Sequence, residues 1–333
     1  MRDLQGNLPA IPVRDYRDGG LLQYALDWRE DAHILMTTVL DGLGPAGRLL
    51  RPLLPIGDRI AKRRLRAMND PYCDEILQIR EALGVPGPVA FSLSYEFGCT
   101  ARGFGETPAP SLFRTLDWPF RGLGKLVEIV RLGGPAGEWV TATWPGLAGV
   151  LHGAAPGRFA IALNQAPERR STLGRGAAWL TAKLRFMRAT GLPPPHLLRQ
   201  VFETAPNYAA AKAMLAETPV AVPVIYTLIG PGGEGCTIER TENAAEVHPM
   251  PAAANHFTGS HPGRWRPRGY DSEGRHAAAC LLSDTPEVDA LSPPILNPLT
   301  RLSMVLCPDG ALSIAGYEGE RRVTEAVHFT PSA

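Results

Sequence analysis

No run of about 18 apolar residues occurs in the chain, so no stretch of it reads as a bilayer span. Charge of one sign is not in excess either. The 34 Lys and Arg stand against 33 Asp and Glu, which leaves no electrostatic footprint for nucleic acid and excludes that partner. Paired CxxC cysteines are missing. Cys73, Cys99, Cys236, Cys280 and Cys307 are scattered singly, a pattern that fits neither a disulfide framework nor a zinc site. The opening MRDLQGNLPAIPVRDYRDGG has no apolar segment of a secretory signal, so reduced thiols in a cytoplasm are the simplest expectation. P-loop, HExxH and GxSxG signatures are absent. What remains is an ordinary globular composition, 44% apolar and 20% charged over 333 residues, enough for a core that needs no staples.

The hydrophobic pattern divides the chain. Leu21, Ala25, Trp28, Ala32, Leu35 and Val39 form one helical stripe, stopped by Gly42, Gly44 and Pro45. Further helices are predicted over 57–68 and from Cys73 to Leu83. From residue 89 the pattern becomes strand-like: 89–95, 112–116, 126–132, 139–143, 149–151 and 159–163. Helices follow at 177–190, 196–203 and 208–217, then strands at 222–229 and 236–240. A closing hairpin turns at Pro308-Asp309-Gly310. Strands, helices and strands again predict a layered α+β fold rather than repeated βαβ units.

Few residues carry a chemical signal. Gly230 to Gly235 spells GxGxxG but leads into the strand-like CTIER, so it reads as a turn. Cys99 lies in a Gly-Cys-Thr step at the end of a predicted strand, with Arg114 and Asp117 fifteen and eighteen residues on. A thiol nucleophile needs a lowered pKa and a base. Arg114 would supply the first. A free α-amine on Cys99 would supply the second, if the chain were cut before it. Otherwise Cys99 is a packing residue and Arg114 with Asp117 an ordinary ion pair. Cys236, also in a Gly-Cys-Thr triplet, and Cys280 read as packing residues. His152 and His248 read as strand-end surface residues, and His256 as outside the chemistry. Trp118 and Phe120 read equally as pocket or core. The basic stretch 58–66, flanked by Leu53, Leu54 and Ile56, reads most simply as a solvated helix face; contact with anionic lipid and a lid over the site are the functional alternatives.

Several blocks together resemble the N-terminal-nucleophile cysteine amide hydrolases, the group of acid ceramidase, the acid amidase of N-acylethanolamines, choloylglycine hydrolase and penicillin V acylase. Gly98-Cys99-Thr100 matches the group's cleavage step and Arg114-x-x-Asp117 its RNxD motif. The segments 143–165, 233–240 and Asn255-His256-Phe257 match later blocks, so the likeness covers about residues 90–320. The resemblance implies a four-layer αββα sandwich, with residues 1–98 as a helical N-terminal segment and 99–333 as the catalytic domain. Cys99 would be both cleavage residue and nucleophile after scission of Gly98–Cys99. Arg114 would stabilise the thiolate and Asp117 hold the new ammonium. Asn255, with Asn164 or the backbone near Gln165, would donate to the oxyanion, and Arg275 would be a late structural or polarising arginine. Two departures stand out: Gln165 replaces the Glu usual in the ceramidase branch, and Thr115 replaces the Asn of RNxD. The expected substrate is an N-acyl amide with a lipophilic acyl group, with no metal or organic cofactor. An acyltransferase or an inactive binding protein on the same scaffold are the competing expectations. The oligomeric state has no signature in the sequence.

Overall fold

The computed structural model describes residues 8–42, 47, 49, 51–93, 98–105, 109–172 and 174–331. Strand β1 (Val13–Tyr16) precedes the helices α1 (Gly20–Asp27), α2 (Arg29–Gly42), α3 (Leu54–Ala67), α4 (Cys73–Leu83) and α5 (Pro88–Phe91). Helix α4 illustrates why these segments are helical. Cys73, Ile76, Ile79 and Leu83 bury one face. Asp74 and Glu75 lie at its positive end and Arg80 in its last turn, each complementing the dipole. Gly84, at φ 65°, ends it in the left-handed conformation that glycine adopts without penalty.

The strands that follow are β2 (Gly98–Phe104), β3 (Ser111–Asp117), β4 (Glu128–Leu132), β5 (Trp139–Thr143), β6 (His152–Ala155), β7 (Phe159–Gln165) and the short β8 (Glu168–Arg169). Helices α6 (Arg175–Arg188), α7 (Pro194–Thr204) and α8 (Tyr208–Glu217) come next. The chain then forms β9 (Val224–Ile229), β10 (Gly235–Arg240), β11 (Ala245–His248), β12 (Ala252–Ala253), β13 (Trp265–Arg266) and helix α9 (Ser272–Cys280). It closes with β14 (Thr300–Leu306), β15 (Leu312–Glu318), β16 (Arg321–Arg322) and β17 (Val327–Phe329).

Two sheets pack face to face. One runs β1-β4-β5-β6-β7-β9-β10-β11, the other β12-β2-β3-β14-β15-β16, with β17 also on β15. Between them a single buried cluster includes Ala101, Leu112, Leu116, Met304 and Ile314 of the second sheet and Ala160, Ala162 and Ile229 of the first. Fully burying each of the larger side chains contributes about 1.5–3 kcal/mol. Helix α7 covers the outer face of the first sheet, where Phe202 stacks on Trp139 with ring centres 5.1 Å apart. Helix α9 and the 282–296 segment cover the second, through Ala279, Val288 and Ile295 against Phe104, Phe113 and Tyr317. The layers are therefore helix, sheet, sheet, helix, the α+β sandwich expected.

Residues before Cys99 are bound into this body. Strand β1 pairs parallel with β4, and Arg14 and Tyr24 both reach the buried carboxylate of Glu128, the first residue of β4. Farther along, buried Asp70 accepts from His196 at 2.6 Å and Glu75 forms an ion pair with Arg199 at 2.6 Å.

The structure departs from the sequence pattern in several places. The 21–39 stripe breaks at Trp28 into two helices. The strand expected over 89–95 is instead helical from Pro88 to Phe91, with proline at the first helical position where its missing N–H costs nothing; residues 94–97 lie outside the described residues. The strand expected at 149–151 begins at His152. Strand β2, which carries Cys99 and reads in the sequence only as a step after a strand over 89–95, has no counterpart in the prediction, nor do β1, helix α9 and the short strands β8, β11, β12, β13, β16 and β17. The glycine-rich 230–235 segment is the expected turn, closed by Gly230 N–H donating to Glu234 O at 2.7 Å.

Candidate active site

Antiparallel register builds the site. Strands β2 and β3 place Ala101 opposite Arg114, Cys99 opposite Leu116 and Gly98 opposite Asp117. Alternation then puts Cys99 and Arg114 on the inner face of the sheet and Asp117 with Thr100 on the outer face. Arg114 Nη2 donates to Cys99 Sγ at 2.9 Å and to Leu163 O at 2.9 Å, while Nη1 donates to Leu151 O at 2.7 Å. Nη1 also contacts His152 Nδ1. Every one of these residues that carries a functional side chain is fully buried.

Arg275 approaches from the first turn of α9, whose start is fixed by Asp271 capping Gly274 N–H. Its Nη1 donates to Cys99 O at 2.5 Å and Thr100 Oγ1 at 2.9 Å, and lies 3.3 Å from Asp117 Oδ2. Its Nη2 donates to Asn255 Oδ1 at 2.9 Å. That oxygen also accepts the backbone N–H of Cys99 at 2.8 Å. Two donors converge on it, which fixes the carboxamide orientation. Asn255 Nδ2 donates to Gln165 O at 2.8 Å, and Asn164 Nδ2 to the carbonyls of Cys99, Ala253 and Ala254 at 3.3, 3.2 and 3.1 Å.

The electrostatics follow from burial. Two guanidiniums, Arg114 and Arg275, and one carboxylate, Asp117, are wholly enclosed. Among the described residues one more negative charge would balance them. Burial pushes the Cys99 thiol up, and Arg114 opposes that by charge and by its hydrogen bond. Asp117 is likewise raised by burial, against the pull of Arg275 and hydrogen bonds from Asn297 and Thr300. Removing water strengthens these opposing interactions together.

A cavity of about 300 Å³ adjoins this centre. Leu163 and Gln165, whose backbones bind Arg114 and Asn255, line it on the side of the centre; Leu93, Phe186 and Trp265 are among its apolar lining residues, and Glu168, Arg169, Arg185, Glu242 and Arg268 are its charged ones. Arg268 N–H donates to Asn255 O at 3.0 Å, so cavity and centre share a wall.

All six site residues expected from the sequence, Cys99, Arg114, Asp117, Asn164, Asn255 and Arg275, thus meet at one place. The arrangement of Asn255 differs in detail: its oxygen, not its nitrogen, faces Cys99, because two donors already claim that oxygen. His152 is a correction. It is no surface residue but fully buried against Arg114. Its neighbours in sequence are leucine, glycine and alanine, and nothing local signals the contact. His248 does sit at a strand end, partly exposed. Trp118 and Phe120 are buried in the core, their rings tilted at 51° with centres 5.6 Å apart, and Trp118 also borders a small second cavity under α2. Cys236 is buried, and Cys280 lies near His276. Among the described residues no three His, Cys, Asp or Glu side chains are grouped to hold a metal ion.

No family model matches the chain. Acid ceramidases from Heterocephalus glaber and Macaca fascicularis are each 30% identical to it, over 171 and 175 residues. The chain resembles the N-terminal-nucleophile cysteine amide hydrolases. The ceramidase matches cover 47% and 48% of this chain and 42% of each relative, so the chain spans less than half the length of the curated relatives it matches. A solved Caenorhabditis elegans ortholog of N-acylethanolamine-hydrolyzing acid amidase superposes with a TM-score of 0.44 at 18% identity, over 64% of this chain and 93% of its own. Among the described residues, no helix is long and apolar enough to cross a membrane.

Proposed function

We propose that the chain is a hydrolase of linear amide C–N bonds that first cuts itself between Gly98 and Cys99. The observation that carries this reading is the threefold hold on one residue: Arg114 on the Cys99 thiol, Asn255 on its backbone N–H, and Arg275 on its carbonyl.

In the maturation step the Cys99 sulfur attacks the Gly98 carbonyl carbon. The C–N bond breaks, the nitrogen takes the thiol proton, and Gly98 is held as a thioester. Water then releases a Gly98 carboxylate and the free thiol. The fragments 1–98 and 99–333 stay together through the β1–β4 pairing and the Asp70–His196 and Glu75–Arg199 contacts.

The freed α-amine lies where the peptide N–H lies now, against Asn255 Oδ1 and on the side of Asp117. It takes the thiol proton when Cys99 attacks a substrate carbonyl, and later returns it to the leaving amine. Arg114 stabilises the thiolate. A substrate carbonyl oxygen would draw on the Asn164 and Asn255 Nδ2 groups, now bound to backbone carbonyls, each such donor being worth about 2.7–4 kcal/mol of barrier. The acyl-thioester is finally hydrolysed. Leu93, Leu163, Phe186 and Trp265 favour a lipophilic acyl group in the adjoining cavity, in keeping with the relatives being named ceramidases.

The test is turnover of a fluorogenic aminomethylcoumarin amide of a ten-carbon fatty acid by wild type and C99A, with and without hydroxylamine. Hydrolysis by wild type alone supports the reading. Preferential formation of the hydroxamate would make the chain an acyltransferase. Equal inactivity of both proteins overturns it.

A further inference from the structure

His152 opens strand β6, and its ring enters the space between the sheets beside Arg114. Three of the four other N–H groups of the Arg114 guanidinium are occupied, which directs it at Cys99 Sγ; the fourth, on Nε, has no partner among the described residues. Leu151 O and Leu163 O take two of these directions and His152 Nδ1 a third. The two carbonyls belong to main chain of the first sheet. The imidazole is the only side chain among the described residues that accepts from Arg114 besides the thiol itself.

All three acceptors are uncharged. That matters for the thiol. A carboxylate in the place of His152 would neutralise the guanidinium and leave it little to offer a thiolate. A neutral acceptor fixes the direction of Arg114 while leaving its full charge for Cys99. The surroundings keep the imidazole neutral: burial and the charge of Arg114 push it well below the ordinary histidine range, and only the Ala142 backbone favours its charged form. Other titratable groups of the centre, Asp117 and Arg275, lie on the far face of β2 and β3. Strand β5 contributes Thr141, whose hydroxyl bonds the His152 carbonyl at 2.7 Å and holds the backbone of this residue in place.

We infer that His152 is a positioning residue, a neutral acceptor that aims Arg114 at the Cys99 sulfur and so sets the acidity of the nucleophile. This inference rests on the amidase reading, because it assigns a role toward the thiol that reading makes reactive.

The experiment compares wild type, His152→Leu, which removes the acceptor, and His152→Asn, whose Oδ1 keeps one near the position of Nδ1. Self-cutting and hydrolysis of the coumarin amide are followed against pH, with circular dichroism and thermal unfolding as the check on folding. The acid limb of both profiles is expected to move up by about one pH unit in the Leu protein, which lowers the rate below the limb about tenfold. In the Asn protein it stays near wild type. An unmoved limb in folded Leu protein, or equal shifts in both variants, overturns the assignment. Should the Leu protein not fold, His152→Asp decides against His152→Asn. The added carboxylate drains the charge of Arg114 and moves the limb upward, and an unmoved limb overturns the assignment. A wild type that neither cuts itself nor hydrolyses the probe overturns the amidase reading and this role together. A wild type that does both, with unmoved limbs in the variants, overturns the role alone.

Discussion

Asn255 Oδ1 accepts the backbone N–H of Cys99 at 2.8 Å, although 156 residues separate the two. The same oxygen receives Arg275 Nη2, so the carboxamide cannot turn without losing two charge-assisted or buried hydrogen bonds. Replacing Asn255 with Ala frees the very nitrogen that must become the catalytic amine. Self-cutting of N255A is expected to slow by about a hundredfold to a thousandfold, the range for loss of one well-placed polar partner at such a centre. Gel densitometry of the precursor over time measures it.

Arg275 and Asp117 form a fully buried pair, 3.3 Å apart. Removing one member leaves the other charge uncompensated, at a cost of about 3–5 kcal/mol. Arg275→Met is expected to lose that much stability in urea denaturation. The double variant R275M/D117N is expected to lose less than R275M alone, since the stranded carboxylate is gone. Equal losses would mean that Arg275 acts mainly through its contacts to Cys99 O and Thr100.

The depressed His152 titration has a thermodynamic consequence. In the fold the imidazole stays neutral as pH falls below 6.5, whereas the unfolded chain takes up a proton there. The unfolded state then binds more protons, so this residue's contribution to stability is present above that pH and is lost as pH falls. The stability difference between wild type and H152N is expected to shrink on acidification, by at most about 1.4 kcal/mol per pH unit. Denaturation of both proteins at neutral pH and at mildly acidic pH measures the difference.

How much of this was legible in the chain depends on how local the cause is. Cys99 and Arg114 could be paired by spacing because a hairpin folds them together: the register that joins Ala101 to Arg114 is a two-strand property. Asn255 and Arg275 needed resemblance, since their partners lie on other elements. His152 reads as a surface residue in the sequence because its partner is a guanidinium 38 residues away, with nothing in LHGAAP to announce it. Strand β1 carries no signal in the sequence, because the four residues VRDY, two of them charged, look like loop until β4 lies beside them. The 89–95 stretch alternates like a strand, yet proline at residue 88 starts a helical turn there instead.

Helix α3 carries the basic stretch 58–66. Arg64 is buried against the end of α6 and donates to Ala189 O, so it is not solvated. Ile56 and Ile60 are 51% and 44% exposed, beside exposed Arg59 and Arg63. We propose that this face meets anionic lipid, each basic residue near such a surface contributing about 1 kcal/mol. Flotation with vesicles containing phosphatidylserine is expected to carry wild type but not I56E/I60E; co-flotation of both would return the stretch to an ordinary helix face.

The central claim is that Cys99 becomes an N-terminal residue. Intact mass of purified wild type beside C99A tests it most directly. Two wild-type fragments are expected, one ending at Gly98 and one beginning at Cys99, and a single uncut C99A chain. A wild type that remains one 333-residue chain at every pH tried would contradict it.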